Sequence, residues 1–68
     1  MSNTIRDAAP ELSVLLTTAE VAKILKVNAS TLSRWRTNGG GPRVTWLSPH
    51  IPRYQSRDVH AWLQKVAS

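Results

Sequence analysis

A very short link between two helical segments constrains this chain more than any other feature of its sequence. A first helix is predicted to begin at Thr17, because Thr17 and Glu20 form a Thr-x-x-Glu capping box that is followed by apolar residues at helical spacing. A second helix is predicted from Ala29 to Asn38, with Asn28 as its N-cap. Only residues 26–28 separate the two segments, and so short a connection makes the helices cross steeply.

The sequence after the second helix predicts a hairpin and a closing helix. Residues 39–42, three glycines and a proline, end the second helix, since glycine adopts the left-handed C-cap and proline prevents the helix from resuming. Residues 43–47 and 51–54 are predicted to pair as an antiparallel hairpin, with Pro52 placing the return strand at the sheet edge because it lacks an amide hydrogen. Ser56 is predicted to cap a third helix. The apolar stripe of that helix closes the predicted core with Val59, Trp62, Leu63 and Val66.

The second helix has one apolar face and one polar face. Its apolar residues, Ala29, Leu32 and Trp35, recur every three positions and mark the buried side. Arg36 lies at the edge of the outward face, whose hydrogen-bonding and basic positions are Ser30, Thr31, Ser33, Arg34 and Thr37. A helix with such an acid-free face, held behind a tight corner, fits the major groove of DNA, where each base pair displays its own pattern of donors and acceptors.

Charge separates the predicted domain from the amino-terminal residues. A chain of 68 residues supports one small domain. Residues 1–13 lack helical or strand periodicity and hold one basic and two acidic side chains, so they are predicted to be a flexible tail. Residues 14–68 hold eight basic and two acidic side chains, a net charge of +6, and are predicted to fold. This balance favours a polyanion as partner, nucleic acid before an anionic membrane, with a merely solubilising surface charge as the alternative.

Composition also argues against several other classes of protein. No apolar run approaches the roughly 20 residues of a membrane span, and no signal peptide is recognisable, so a cytoplasmic location is predicted. The chain has no cysteine, and His50 and His60 lie on different predicted elements, so no metal or other cofactor is predicted. Catalysis is not expected, because Tyr54 lacks the acid–base partners and the large cleft that a tyrosine nucleophile needs.

Five stretches of the sequence carry a family resemblance through their order and spacing. They are LTTAEVAKIL at 16–25, VNASTLSRWR at 27–36, GGGP at 39–42, and RY at 53–54 with DVHAWL at 58–63. Together they resemble the winged helix-turn-helix domains of the MerR type, and within them the small excisionase and AlpA-like proteins of phages and integrative elements. The resemblance implies an α+β, mainly α fold, with a helix-turn-helix, a two-stranded hairpin wing and a C-terminal helix. Lys26 departs from the pattern, since such domains usually carry a glycine in the corner; in a left-handed corner a lysine costs about 1 kcal/mol relative to glycine.

The candidate DNA-binding residues form two groups. In the second helix Arg34 is predicted to donate two hydrogen bonds to one guanine base, with a phosphate contact as the alternative. The hydroxyls beside it, of Ser30, Thr31, Ser33 and Thr37, either contact bases or phosphates or remain solvated. The flanking group is predicted to hold the phosphate backbone, with idle surface charge or a purely structural helix cap as the alternatives. It consists of Arg36, Arg43, Arg53, His50 at the wing tip, and Thr17 and Thr18 at the start of the first helix. For His50, entry into the minor groove is a further alternative.

The aromatic side chains are predicted to fill the core rather than to stack on bases. Trp35 and Trp62 lie on apolar helical stripes, and so small a domain needs large side chains inside. Trp46 and Tyr54 on the hairpin are assigned to the core on the same ground, although aromatic side chains also serve as stacking platforms for single-stranded bases.

The resemblance implies a protein that acts on double-stranded DNA together with other proteins. A single module offers about 600–1,000 Å² of DNA interface, so several copies are expected to bind side by side and to bend the duplex. The first hypothesis is an excisionase, or recombination directionality factor, that shapes an attachment site for a separate integrase. An AlpA-like transcriptional regulator at promoter DNA is the alternative. A protein-interaction module that ignores DNA is the third hypothesis.

Overall fold

The computed structural model describes residues 13–67, which form a winged helix-turn-helix. The elements follow in the order β1 (Leu15–Leu16), α1 (Thr18–Leu25), α2 (Ala29–Asn38), β2 (Thr45–Ser48), β3 (Ile51–Gln55) and α3 (Ser56–Ala67). The predicted fold class is confirmed, with the addition of β1, a strand that the sequence pattern does not predict. Within the described residues no helix is long and apolar enough to cross a membrane.

The corner between α1 and α2 forms at the predicted residues. The capping box is complete, since the Glu20 amide donates to Thr17 Oγ1 at 3.1 Å and the Thr17 amide donates to Glu20 Oε1 at 2.8 Å. The C-cap of α1 is Lys26, whose φ of 60° and ψ of 44° are left-handed. Asn28 takes the predicted N-cap position of α2, although its side chain makes no cap hydrogen bond. Its carbonyl starts the helix instead by accepting from the Thr31 amide at 3.0 Å.

The sheet differs from the predicted hairpin because a third strand joins it. The strand order is β1-β3-β2, so β3 is central, and the prediction that Pro52 places it at an edge is wrong. The two residues of β1 pair with Gln55 and Tyr54 on the side of β3 away from β2. Because β1 stops there, Pro52 faces Trp46 of β2 on one side and lies beyond the end of β1 on the other. A proline is tolerated in this central strand where one side of the strand is open.

The core lies between the two helices of the corner, β3 and the beginning of α3. Its buried side chains are Val21, Ala22, Leu32, Tyr54 and Val59. The predictions that place Leu32 and Tyr54 inside are therefore confirmed. Trp35 packs on this cluster, and its ring centroid lies 5.4 Å from that of the half-buried Trp62.

Two predictions about the core are wrong. Trp46 is 50% exposed. It pairs with Pro52 and therefore shares the face of β3 that carries the buried Tyr54, but it lies nearer the turn of the hairpin, where that face is only partly covered. In α3 the stripe that should close the core is buried only at Val59, while Leu63 and Val66 are exposed. α3 packs mainly against β3, so burial is confined to its amino-terminal part.

The beginning of α3 is capped by a residue distant in sequence. The Arg57 amide donates to Ser13 Oγ at 2.9 Å, and the hydroxyl oxygens of Ser13 and Ser56 lie 3.0 Å apart. Ser56, the predicted cap, instead accepts from the Val14 amide at 3.0 Å. This pair of serines fixes the chain segment that leads into β1. Of the predicted tail only Ser13 is described, and residues 1–12 lie outside the described residues.

Candidate nucleic-acid interface

The outer face of α2 projects from the domain because its inner face is held by the core. Leu32 is fully buried and Trp35 packs on the core cluster, which fixes the rotation of the helix about its own axis. The predicted contact residues on the other side are exposed at Ser30, Arg34 and Thr37 and half-buried at Thr31 and Ser33. The structure thus brings this predicted group together on one surface.

Arg34 is the accessible cation of this face. Its side chain is exposed, and it donates no hydrogen bond to another described residue. A guanidinium in this state is available for a two-bond contact with guanine or with a phosphate. Thr37 differs, because its hydroxyl donates to the Ser33 carbonyl at 3.1 Å and keeps only acceptor capacity for a partner.

Arg36, one of the predicted backbone clamps, is turned toward the protein. It is half-buried, and its Nη1 donates to the Tyr54 hydroxyl at 3.0 Å and to Thr18 Oγ1 at 3.4 Å. Its Nη2 donates to Ser33 Oγ at 3.4 Å. The sequence carries a signal for this placement, since Arg36 follows Leu32 by four residues and therefore shares the inner flank of α2.

Trp46 is the residue at this surface whose placement sequence reasoning missed. The Cζ atom of Arg36 lies 5.7 Å from the centroid of the indole ring, which is within the range of a cation–π contact. Leu47 and Ile51 of the same hairpin are also exposed. The wing therefore presents apolar as well as basic side chains. Strand alternation predicts the face of the sheet on which Trp46 lies but not how far the helices cover that face, so the sequence does not reveal its exposure.

The remaining basic residues predicted to contact the DNA backbone lie on different parts of the surface. His50 is exposed in the turn between β2 and β3. Arg53 on β3 is half-buried, and its Nη1 donates to the Pro52 carbonyl at 2.8 Å. Arg43 precedes β2 and lines a surface depression together with Asp58 of α3. The structure therefore places His50 and Arg53 on the wing and Arg43 beside α3.

The hydroxyls of Thr17 and Thr18 have partners within the protein. Thr17 forms the capping box with Glu20, which is the structural alternative considered for it. Thr18 Oγ1 accepts from Arg36. Thr17 therefore stabilises the start of α1, and Thr18 links α1 to α2.

Acidic side chains lie away from α2 and the wing. The two carboxylates of residues 13–67 belong to Glu20 on α1 and Asp58 on α3, whereas α2 and the hairpin carry Arg34, Arg36 and Arg53 and no acid. A surface of one sign attracts a polyanion and orients it before contact.

The comparison with known families agrees with this geometry. A family model described as a helix-turn-helix domain matches residues 15–67. No curated protein and no solved structure matches the chain significantly. The matched range begins at β1 and ends with α3, so it covers every helix and strand of the described residues. The chain therefore belongs to the helix-turn-helix domain family, a family of DNA-binding domains that includes excisionase and AlpA-like proteins.

Proposed function

We propose that this chain reads DNA sequence by laying α2 in the major groove while the wing lies against the neighbouring phosphate backbone. The observation that carries the proposal is the exposed, acid-free face around Arg34, backed by the fully buried Leu32. In this arrangement Arg34 and the Ser30 hydroxyl reach base edges, Arg53 neutralises a phosphate, and His50 contacts the DNA backbone at the wing tip.

The role we propose for this binding is architectural, that of a MerR-type excisionase or recombination directionality factor in the cytoplasm. One domain of this size offers about 600–1,000 Å² of interface and modest affinity, so several copies bind side by side. The exposed apolar side chains of the wing, Trp46, Leu47 and Ile51, support contact between neighbouring copies on DNA. Because a bent duplex touches more of the array, the additional protein–DNA interactions offset a bending cost of a few kcal/mol. Strand cleavage and joining belong to a separate integrase, and the chain itself has no catalytic role.

An AlpA-like transcriptional regulator is the second candidate. The observation that favours it is the exposed pair Leu63 and Val66 on α3, an apolar face separate from the wing that offers a contact to polymerase. Both candidates use α2 in the same way, so they differ in the site bound and in the partner.

DNA binding is tested with the purified chain and a labelled duplex, by fluorescence anisotropy over a range of salt concentrations. Log K is expected to fall linearly with log salt, with a slope of about −0.9 for each phosphate neutralised. A chain that leaves the duplex free in dilute buffer contradicts the proposal and favours the interaction module that ignores DNA.

The excisionase role is tested by a circular-permutation gel shift on attachment-site DNA. Cooperative complexes whose mobility depends on the position of the site are expected, because bound copies bend the duplex. A single unbent complex, combined with tight binding to promoter DNA, supports the transcriptional regulator instead.

A further inference from the structure

Arg36 lies where four elements of the domain meet. Its guanidinium donates to hydroxyls of Thr18 on α1, Ser33 on α2 and Tyr54 on β3. The same group lies over the ring of Trp46 on β2. All three acceptors are uncharged, so these contacts fix the direction of the side chain without neutralising its charge. A single side chain of α2 therefore contacts α1 and both strands of the wing.

The hydroxyl of Tyr54 depends on this arginine. Tyr54 is only 1% exposed, and within residues 13–67 the hydrogen-bond partner of its hydroxyl is Arg36, at 3.0 Å. A buried hydroxyl that loses its partner is strongly disfavoured, because it has no water to replace the bond. If Arg36 swung outward to a phosphate, it would leave Tyr54 unsatisfied. The arrangement favours a guanidinium that stays in place.

We propose that Arg36 is a positioning residue, which sets the angle between α2 and the wing so that both reach a duplex together, and that it makes no phosphate contact of its own. This inference rests on the proposed DNA-binding function and replaces the clamp role predicted from the sequence. Arginine suits the task because a planar guanidinium makes directional bonds at both Nη atoms while it stacks on a ring. A lysine ammonium keeps the charge but loses this combination.

The test measures the Kd of the full chain against salt for the tightest duplex recovered by in vitro selection. The variants are Arg36→Lys, Arg36→Met and Tyr54→Phe, and Arg53→Met serves as the comparison for a lost phosphate contact. Arg36→Lys and Tyr54→Phe are expected to weaken binding about three- to tenfold with the salt slope unchanged, since each loses a directional hydrogen bond and no charge. Arg53→Met is expected to lower the slope by about one. Arg36→Lys and Tyr54→Phe preserve most of the packing volume, so the test stands if Arg36→Met unfolds.

Amide residual dipolar couplings of the free chain report the angle between α2 and the hairpin directly. In the wild type both elements are expected to fit one alignment tensor in the arrangement of the structure. In Arg36→Lys the couplings of α2 and of the hairpin are each expected to fit an alignment tensor separately, and the angle between the two elements is expected to change. The proposal is overturned if Arg36→Lys keeps both the wild-type Kd for the duplex and the wild-type angle between α2 and the hairpin. It is also overturned if Arg36→Met lowers the slope of log K against log salt as much as Arg53→Met does. A wild-type chain that binds no duplex removes the proposed function, and the couplings still decide whether Arg36 sets the angle.

Discussion

The helix pair and the wing of this domain are stabilised by different interactions. α1 and α2 meet through fully buried side chains, Val21 and Leu32, and the corner between them is fixed by backbone geometry. The hairpin β2–β3 adds Tyr54 to this core from β3, but its other strand, β2, exposes Trp46 and Leu47 and is held by pairing with β3 and by the contact of Trp46 with Arg36. Apolar burial therefore carries the stability of the first region, while the surface of the second is left for a partner. The same substitution should therefore change the free energy of unfolding by very different amounts in the two regions.

The largest expected effect comes from one leucine truncation made in each region. Leu32→Ala is expected to lower the free energy of unfolding by about 2–5 kcal/mol, because it leaves a cavity in the core of a small domain. Leu47→Ala removes the same atoms from a side chain that is 54% exposed and is expected to change stability by about 0.5 kcal/mol. Urea denaturation followed by circular dichroism measures both. Equal losses would show that the wing is packed as tightly as the helix pair.

The segment that joins the two regions gives the next largest effect. Gly41 has a φ of +75°, and a Cβ placed on it would lie 2.9 Å from Cε3 of Trp35. Gly41→Ala is therefore expected to lower the free energy of unfolding by about 2–3 kcal/mol, from backbone strain plus overpacking. Gly40→Ala is the matched control, since its Cβ would meet Trp35 no closer than 3.9 Å. Thermal unfolding of the two variants should give clearly different midpoints, and similar midpoints would contradict the close approach.

The helix pair was predictable from the sequence because its signals are local. The capping box of Thr17 and Glu20 and the apolar stripes of α1 and α2 each lie within one helix. The structure contains the capping box and buries the stripes at Val21, Ala22 and Leu32, although Ile24 and Ala29 on the same stripes are exposed. The resemblance to domains that carry glycine in this corner left two possibilities for Lys26, a left-handed residue or a slightly different corner, and the structure has the left-handed residue. The accessible face of α2 follows from the same periodicity, since fixing the inner side of a helix fixes its outer side.

The hairpin of the wing was predictable from its local strand and turn residues, but its connections to the rest of the domain were not, because they depend on contacts between distant residues. Ser13 caps α3 from 44 residues away, and no local pattern identifies such a partner. β1 has only two residues, too few for a recognisable strand period. The inward turn of Arg36 depends on the hydroxyl of Tyr54, which is 18 residues further along the chain. Sequence patterns therefore identified α2 and its exposed face but did not predict β1, the Ser13 cap or the direction of Arg36.

The two regions should also differ in what they contribute to DNA binding. Arg34→Ala is expected to weaken binding to a selected duplex by about 1–3 kcal/mol and to random DNA by less, because a base contact discriminates between sequences. Arg53→Ala is expected to weaken binding to both DNAs alike and to lower the salt slope by about one, because a wing cation contacts phosphate. Anisotropy titrations with both duplexes at several salt concentrations measure these effects. Equal losses on both DNAs for Arg34→Ala would assign it to the backbone.

The smallest expected effect tests whether the corner holds the helix pair at a cost. Lys26 has a φ of 60°, a conformation that glycine adopts without a side-chain clash. Lys26→Gly is therefore expected to raise the free energy of unfolding by about 0.5–1 kcal/mol. This is a net value, because the substitution removes the left-handed strain but also increases the conformational entropy of the unfolded chain. Lys23→Gly removes the same charge from an exposed position inside α1 and is expected to lower it by about 1 kcal/mol. Urea denaturation measures the free energy of unfolding of both variants. Changes of opposite sign would place the strain in the backbone at the corner, because loss of a lysine side chain alone would change both values in the same direction.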